Sequence, residues 1–327
     1  MISRRAFLTQ AASLAVAGAG YWWLRDNVLQ PVAHARFDAG ASSSGWLPFS
    51  AQDDRVVIVA AQVNGSPVQA LLDSGAQSSV IDRDLAMRMG LPLSVIPPIV
   101  ALGVSGKRQL GRTTALDVRL GALRLGLRAA VLELNAISVA SGLPFGLMLG
   151  QDVLQALVAD IDFPAGRLSL HDPAAYRLPT GALPAPARLQ GRELLVPVTI
   201  EATALDLVLD TGASGAISLA ADVAEAAGLL AGREVGEGRS ISFGGVSQNR
   251  IVQARHVAFA GRSYADTAVQ IYPARAGGMI PKGLLGVEML KRYRVILDQG
   301  HGRLHLIPAG EQGGPRLVPL EGVFSTP

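Results

Sequence analysis

Short apolar runs separated by glycine-containing turns dominate the chain and predict a mostly β protein. The runs Arg55–Gln62 and Val68–Leu72 flank an Asn-Gly pair at positions 64 and 65, which is a typical β-hairpin turn. The runs Glu193–Ile200 and Leu205–Leu209 repeat this arrangement further along the chain. The same supersecondary unit is therefore expected at two places.

A short helix is predicted after each of these hairpins. The segments are Asp82–Met89 and Ala220–Ala227, and they are followed by Gly90 and Gly228. Glycine directly after the last helical residue is a common helix stop. Strand, hairpin and helix thus recur in the same order, which indicates an internal repeat.

Matched landmarks show how long the repeated unit is. An apolar run ends in Asp-Ser-Gly-Ala at residues 73–76 and in Asp-Thr-Gly-Ala at residues 210–213. A second apolar run ends at Gly150 in the first copy and at Gly286 in the second, 77 and 76 residues after the respective aspartates. A Gly-Arg-Leu tripeptide follows each of these glycines after 16 residues. The equal spacing predicts a tandem duplication whose two lobes pack about a pseudo-two-fold axis.

The repeat also predicts where the domains lie. We expect an N-terminal lobe over residues 36–178, a linker over residues 179–192, a C-terminal lobe over residues 193–310 and a tail over residues 311–327. The linker prediction rests on the Pro- and Ala-rich segment Asp172–Pro186, whose composition is typical of a connection between domains.

Composition excludes several kinds of chemistry. The chain has 327 residues and no cysteine, so disulfides, thiol catalysis and Cys-ligated zinc are excluded. The net charge is only +3, and no basic run is interleaved with aromatic residues, so we predict no nucleic-acid partner. His301 and His305 are four residues apart, but the glycines around them indicate a hairpin, so we predict no metal site. No cofactor is expected.

Residues 1–35 resemble an export signal. A paired arginine at positions 4 and 5 precedes an apolar run that ends at Leu24, as in twin-arginine signals. The Ala-His-Ala sequence at residues 33–35 fits the small-x-small pattern of a signal-peptidase site. Alternatively, the apolar run stays as a membrane anchor, because about 20 residues are enough to span a bilayer. Either way we expect a periplasmic or secreted protein, and a retained apolar run would anchor it to the inner membrane.

The two Asp-(Ser/Thr)-Gly-Ala motifs carry the candidate chemistry. An isolated carboxylate at the end of a buried strand is costly. If the pseudo-two-fold axis brings Asp73 and Asp210 together, they cannot both ionise and will share one proton. One carboxylate can then take a proton from water while the other polarises a carbonyl group. The motif glycines permit a close approach, and the motif hydroxyls can hydrogen-bond to the opposite lobe.

These motifs resemble those of the aspartic peptidases, and within them the retropepsin-like group. The resemblance covers about residues 55–307 and rests on the doubled motif and on the apolar-apolar-Gly segments at Gly150 and Gly286. It implies a bilobal, pepsin- or retropepsin-like acid protease fold with two homologous β-barrel-like lobes. It also implies an aspartic endopeptidase that acts on extended polypeptides and is a monomer containing an intramolecular pseudo-dimer.

The resemblance further implies roles for individual residues. Asp73 and Asp210 would be the catalytic pair. The other motif residues would support the two catalytic loops: Ser74, Gly75, Ala76, Thr211, Gly212 and Ala213. Two hairpins would be the flaps that close over substrate and bind it: Gly103, Val104, Ser105 and Gly106 in one lobe, and Gly244, Gly245, Val246 and Ser247 in the other.

The chain departs from the retroviral pattern at matched positions in both lobes. Retroviral enzymes usually have an Arg directly after the glycine that ends the second apolar run, and this chain has Gln151 and Val287 there. The usual Asp partner of that Arg is replaced by Gln77 and Ser214. Because both partners are lost together, no orphan charge remains. The alanine that ends each motif cannot donate a side-chain hydrogen bond to the carboxylate. We therefore predict a mildly acidic pH optimum.

Two other functions compete with an active endopeptidase. One is a catalytically inactive peptide-binding protein on the same fold, but both aspartates and both hydroxyl residues are intact. The other is a two-carboxylate glycosidase. Glycosidases place their carboxylates in different environments, whereas these two lie in matched motifs.

Overall fold

The computed structural model describes residues 32–49, 56–102, 108–242, 245–273, 281–309 and 318–319. Across these ranges, every helix is too short or too polar to span a lipid bilayer. The predicted export segment, apart from Val32–Ala35, lies outside the described residues.

The N-terminal half contains eleven strands and three short helices within the described ranges. In chain order they are β1 (His34–Phe37), β2 (Leu47–Pro48), β3 (Ile58–Val63), β4 (Ser66–Leu72), β5 (Val80–Asp82), α1 (Arg83–Arg88), β6 (Ser94–Leu102), β7 (Arg108–Leu120), β8 (Leu123–Leu132), α2 (Asn135–Ser141), β9 (Leu147–Leu149), α3 (Gln151–Leu154), β10 (Val158–Asp162) and β11 (Arg167–His171).

The C-terminal half repeats this order with additional short strands. Its elements are β12 (Leu183–Ala185), β13 (Arg188–Gln190), β14 (Glu193–Ile200), β15 (Thr203–Leu209), β16 (Ile217–Ala220), α4 (Ala221–Ala226), β17 (Gly236–Ser242), β18 (Gly245–Ala254), β19 (Val257–Phe259), β20 (Arg262–Tyr264), β21 (Thr267–Tyr272), β22 (Gly283–Leu285), α5 (Val287–Leu290), β23 (Tyr293–Asp298), a 3₁₀ helix (Gln299–His301), β24 (Arg303–Pro308) and β25 (Val318–Pro319).

The predicted hairpins and helices are confirmed. Asn64 and Gly65 join β3 to β4, where Val63 pairs with Ser66. Helices α1 and α4 each begin and end one residue inside the predicted segment. The glycines after them, Gly90 and Gly228, have φ values of 63° and 68°, the left-handed conformation that ends a helix.

Each lobe is built around one large sheet. In the N-terminal lobe, β8, β5, β9, β4, β3 and β7 follow one another, and a pairing between β7 and β8 closes them into a six-stranded barrel. In the C-terminal lobe an 11-stranded sheet contains the corresponding strands. The long hairpin β7–β8 is represented there by two shorter pairs, β18–β21 and β19–β20. The mostly β, bilobal fold class is thereby confirmed.

A third sheet joins the lobes. Its six strands run in the order β12-β24-β23-β10-β11-β2. At its centre β10 of the first half pairs antiparallel with β23 of the second half. The predicted linker is therefore not free of regular structure, because β12 pairs with β24 and β13 pairs with β14. Proline and alanine content did not reveal these two edge strands.

The proposed signal-peptidase site coincides with a strand. His34–Phe37 pairs with β8 from Gly126 to Leu123, and Ala33 is 6% exposed. The opposite end of the chain makes the equivalent contact in the other lobe. There, Val318–Pro319 pairs with Arg262–Ser263 of β20, so this part of the predicted tail is attached to the C-terminal lobe.

Candidate active site

Each motif aspartate follows a buried strand that is held from the side by a parallel neighbour. Strand β4 pairs with β9, and β15 pairs with β22. The backbone N–H of Asp73 donates to the Leu149 carbonyl at 2.9 Å, and that of Asp210 donates to Leu285 at 2.9 Å. The residues before the aspartates, Leu72 and Leu209, are fully buried. The two carboxylates are thus placed by equivalent backbone geometry.

The glycine that ends the second apolar run of each repeat, Gly150 or Gly286, is called the glycine mark below. It lies against the loop that carries the aspartate of the same repeat. A Cβ atom on Gly150 would stand 2.7 Å from the Ala76 carbonyl oxygen. A Cβ atom on Gly286 would stand 2.5 Å from the Ala213 carbonyl oxygen. Real Cβ atoms do not approach backbone so closely, so glycine is required at both positions. This explains why the two landmarks keep a nearly constant spacing.

Hydrogen bonds between the two loops join the lobes at the motif hydroxyls. The Ser74 hydroxyl donates to the Leu209 carbonyl at 2.7 Å and accepts from the Thr211 N–H at 3.0 Å. The Thr211 hydroxyl donates to the Leu72 carbonyl at 2.8 Å and accepts from the Ser74 N–H at 3.0 Å. Ser74 and Thr211 are 1% and 0% exposed. The four bonds obey the pseudo-two-fold symmetry.

The structure brings the two carboxylates together. Asp73 Oδ1 accepts from the N–H groups of Gly75 and Ala76, both at 2.9 Å. Asp210 Oδ1 accepts from Gly212 at 2.8 Å and from Ala213 at 3.2 Å. The side chains of the two aspartates also hydrogen-bond to each other.

The motif glycines make this approach possible. A Cβ atom on Gly75 would stand 2.7 Å from Asp210 Cγ, and one on Gly212 would stand 2.5 Å from Asp73 Cγ. Any side chain at either glycine would overlap the carboxylate of the opposite lobe. The two loops can therefore meet face to face only with glycine at both positions.

Burial raises the pKa values of both aspartates, and their backbone hydrogen bonds oppose the shift. The pKa of Asp210 is raised further than that of Asp73, because the charge on Asp73 disfavours a second charge beside it. Two carboxyl groups that interact in this way titrate in two separate steps that belong to the pair.

The predicted flap residues lie largely outside the described part of the chain. Gly103, Val104, Ser105, Gly106 and Gly244 all belong to that undescribed part. Their flanking strands form hairpins, since Leu102 pairs with Arg108 and Ser242 pairs with Gly245.

The remaining flap residues, Gly245, Val246 and Ser247, begin β18. Helix α2 of the N-terminal lobe contacts β17 and β18 of the C-terminal lobe. The second hairpin therefore extends across to the other lobe.

Two side chains near the first loop were not assigned to the site from the sequence. Gln151, which replaces the usual arginine, is fully buried and donates from Nε2 to the Ser74 carbonyl at 3.0 Å. Asp152 accepts from the Ser79 N–H and hydroxyl, each at 2.8 Å. Both directly follow the glycine mark at residue 150, which is the signal that could have identified them.

Comparison with known proteins agrees with the repeat. The family described as "Aspartyl protease" matches residues 59–153 and 196–289. DNA damage-inducible protein 1 of Cryptococcus neoformans var. neoformans serotype D is 30% identical over 148 residues, which is 45% of this chain and 32% of that protein. The UBA domain-containing protein Mud1 of Schizosaccharomyces pombe is 31% identical over 118 residues, which is 36% of this chain and 33% of that protein. The chain spans about a third of the length of these curated relatives.

Two solved structures are also similar. A retropepsin-like aspartic protease from Rickettsia conorii aligns with a TM-score of 0.31 at 18% identity, covering 38% of this chain and 89% of that one. Basic 7S globulin from soybean aligns with a TM-score of 0.46 at 12% identity, covering 80% of this chain and 94% of that one.

The family match falls once in each copy of the repeat and covers more than half of the chain. It includes both Asp-(Ser/Thr)-Gly-Ala motifs and both glycine marks. The chain therefore belongs to the aspartyl protease family and carries two copies of the family's unit.

Proposed function

We propose that Asp73 and Asp210 form a shared-proton dyad that hydrolyses peptide bonds of extended polypeptides outside the cytoplasm. The observation that carries the proposal is the hydrogen-bonded pair of carboxylates, each held by two backbone N–H groups of its own loop. Because burial raises both pKa values, one proton stays on the pair under acidic conditions.

The proton balance defines the two roles. Ionised Asp73 takes a proton from a water molecule as its oxygen attacks the peptide carbonyl carbon, and Asp210 gives its proton to the carbonyl oxygen. The tetrahedral intermediate then breaks its C–N bond. The amine leaves with the proton held by Asp73, and the proton returns from the intermediate to Asp210. No covalent enzyme intermediate is formed.

Extended polypeptides suit the two predicted flap hairpins. A peptide strand can pair with exposed backbone groups of a hairpin while its side chains occupy pockets. The contact of β17 and β18 with α2 supports this role for the second hairpin, because the hairpin reaches from its own lobe to the other one.

The test is cleavage of an unfolded protein substrate between pH 3 and pH 7 by the full-length chain and by its Asp73→Asn and Asp210→Asn variants. We expect the wild type to cleave at mildly acidic pH and each variant to be inactive although folded. An active single variant would refute the shared-proton dyad. A folded wild type that binds but does not cleave a range of peptides would favour the inactive peptide-binding protein.

We further propose that export leaves residues 33–35 attached to the enzyme. Ala33 is buried and its N–H donates to the Asp152 carbonyl at 2.8 Å. A cut after Ala35 would remove this bond and the first half of β1. The export segment is then either retained as an anchor or cut before residue 33. N-terminal sequencing of the exported protein distinguishes these outcomes, and a mature chain that begins at Arg36 would contradict the proposal.

A further inference from the structure

A buried side-chain contact supports the catalytic loop of the N-terminal lobe. Asp152 is 1% exposed and Ser79 is 0% exposed. Asp152 Oδ1 accepts from both the N–H and the hydroxyl of Ser79. The Ser79 hydroxyl in turn accepts from the Gly150 N–H at 3.1 Å. The end of the loop is thereby tied to the glycine mark.

The same segment reaches the residue that orients Asp73. The Gln151 N–H donates to the Ala76 carbonyl at 2.8 Å, while the Ala76 N–H donates to Asp73 Oδ1. Ala76 therefore stands between the segment 150–152 and the reacting carboxylate. A shift of the loop at Ser79 would change the direction of the Ala76 N–H group.

The C-terminal lobe has no equivalent of this side-chain contact among its described residues. Ala216 replaces Ser79, and Glu288 replaces Asp152. The Gly286 N–H donates to the Ala216 backbone carbonyl at 2.9 Å. Glu288 is on the surface, where it pairs with Lys291 at 2.8 Å. The second loop is held by backbone bonds at the place where the first uses a carboxylate and a hydroxyl.

We propose that Asp152 is a positioning residue, which acts through Ser79 to hold the Asp73 loop in its reactive geometry. This inference rests on the proposed dyad. Asp152 does not touch the reacting atoms, and its task is to keep the Gly75 and Ala76 N–H groups directed at Asp73. A displacement of about 1 Å at a reacting group can cost about 100-fold in rate, so a partial loosening of the loop is measurable.

The environment of Asp152 gives a pH-dependent readout. Burial raises the pKa of Asp152 to about 6, although hydrogen bonds from Ser79 and from nearby backbone N–H groups oppose the shift. Burial is the largest cause of this shift. The charged residues of β1, β8 and the 3₁₀ helix, which pack nearby, are exposed: His34, Arg36, Arg124, Arg128 and His301. When Asp152 ionises above pH 6, a buried negative charge therefore lies at the contact with Ser79 that holds the loop.

The experiment measures kcat and KM from pH 4 to pH 8 for the full chain and its Ser79→Ala, Asp152→Ala and Asp152→Asn variants. We expect S79A and D152A to lose about tenfold in kcat with KM nearly unchanged. D152N keeps an acceptor for Ser79, so it should retain kcat at pH 5 and lose less activity than the wild type between pH 6 and pH 8. The matched control in the other lobe, Glu288→Ala, should leave kcat unchanged.

A second measurement separates this inference from the proposed function. Carboxyl ¹³C NMR titration follows the dyad without any substrate. We expect S79A and D152A to raise the lower pKa of the dyad, because Asp73 loses well-directed N–H donors, and E288A to leave it unchanged. If the wild type is inactive and this shift still occurs, the proposed function fails and the positioning role stands. If S79A and D152A lower only the unfolding midpoint, with kcat and the dyad titration unchanged, the positioning role is wrong. If D152A does not fold, the kcat and the dyad titration of S79A alone decide whether the positioning role is correct.

Discussion

In the N-terminal lobe, the loop that carries Asp73 is held by the side chains of Gln151 and Asp152. The equivalent positions in the C-terminal lobe are Val287, which has no polar side-chain atom, and Glu288, which faces the surface. The dyad itself and the hydroxyls between the loops have the same contacts in both lobes. Groups that meet on the pseudo-two-fold axis must match each other, whereas the groups that support them can differ between the lobes.

A similar contrast exists in the sheet that joins the lobes. Each lobe keeps its own hairpin ion pair, Arg167 with Asp162 and Arg303 with Asp298. The contact across the lobes does not follow this symmetry. Arg294 of the second lobe donates twice to Asp160 of the first, at 2.8 Å and 2.7 Å. The matched positions are Val158 and Ile296, so this ion pair between the lobes occurs on one side of the pseudo-two-fold axis only.

The largest effect is expected at the matched glycines of the two motifs. Gly75→Ala and Gly212→Ala each place a Cβ atom within 2.7 Å of the opposite carboxylate. We expect each to lower kcat by about 100-fold or more, since the reacting groups are displaced. Steady-state cleavage assays measure the loss. Gly126→Ala is the control, because its Cβ would have its nearest neighbour at 3.9 Å. If only one of Gly75→Ala and Gly212→Ala lowered kcat, the two catalytic loops would not be equivalent.

Removal of a motif hydroxyl should have the next largest effect, and this effect is on the free energy of unfolding. Ser74→Ala leaves the Leu209 carbonyl and the Thr211 N–H without their partner. Each unsatisfied buried group costs about 1–3 kcal/mol, so we expect about 4 kcal/mol less free energy of unfolding. Urea denaturation at pH 5 measures the difference.

The matched replacement, Thr211→Val, orphans the Leu72 carbonyl and the Ser74 N–H in the same way. It should cost a similar amount, whereas Thr211→Ser should restore most of the stability. Very different losses for S74A and T211V would contradict the symmetry of this contact.

The unsymmetric ion pair between the lobes, Arg294 with Asp160, should contribute somewhat less to the free energy of unfolding. Arg294→Ala leaves Asp160, which is 2% exposed, with only the Tyr176 hydroxyl at 2.8 Å among its described side-chain partners. Removing one partner of a buried ion pair costs about 3 kcal/mol, and urea denaturation at pH 7 measures it. Adding Asp160→Asn should recover part of the loss. The control, Arg188→Ala, removes an exposed ion pair with Asp206 and should cost less than about 1 kcal/mol. An equal cost for Arg294→Ala and Arg188→Ala would contradict a stabilising role of the ion pair between the lobes.

The sequence predicted the features that depend on local chemistry or on the repeat. The Asn64-Gly65 turn and the helix stops at Gly90 and Gly228 follow from residues that prefer one backbone conformation. The meeting of the two aspartates follows from matched spacing. In each case the signal is contained in a few neighbouring residues or in their recurrence.

Features that depend on contacts between distant segments were missed. Strand β1, His34–Phe37, was missed because it has only four residues of mixed polarity. Helix α2 was not predicted, because it has only seven residues, none of them is buried, and its contact with the core is limited to partly buried Ile137. The pairing of Asp160 with Arg294 joins positions 134 residues apart, and the pattern around either residue gives no indication of it.

The smallest predicted effect is a dependence of the free energy of unfolding on pH that arises from Asp152, and its control is a substitution at the matched position, Glu288. A carboxyl whose pKa is raised in the folded state stabilises the fold below its unfolded pKa, and this stabilisation is lost as the pH rises through the folded value. For Asp152 the loss occurs between pH 3.8 and about pH 6. Asp152→Asn removes it, so the variant should match the wild type near pH 4 and exceed it by about 2 kcal/mol at pH 7.5.

Urea denaturation of the wild type, D152N and Glu288→Gln over this pH range measures the effect. The dyad aspartates also have raised pKa values, but they contribute to all three proteins and cancel in the differences. E288Q should follow the wild type at every pH, since Glu288 is exposed and its ion pair is worth little. A constant difference between D152N and the wild type would mean that Asp152 keeps one charge state throughout, and that the two lobes do not differ in their response to pH at this position.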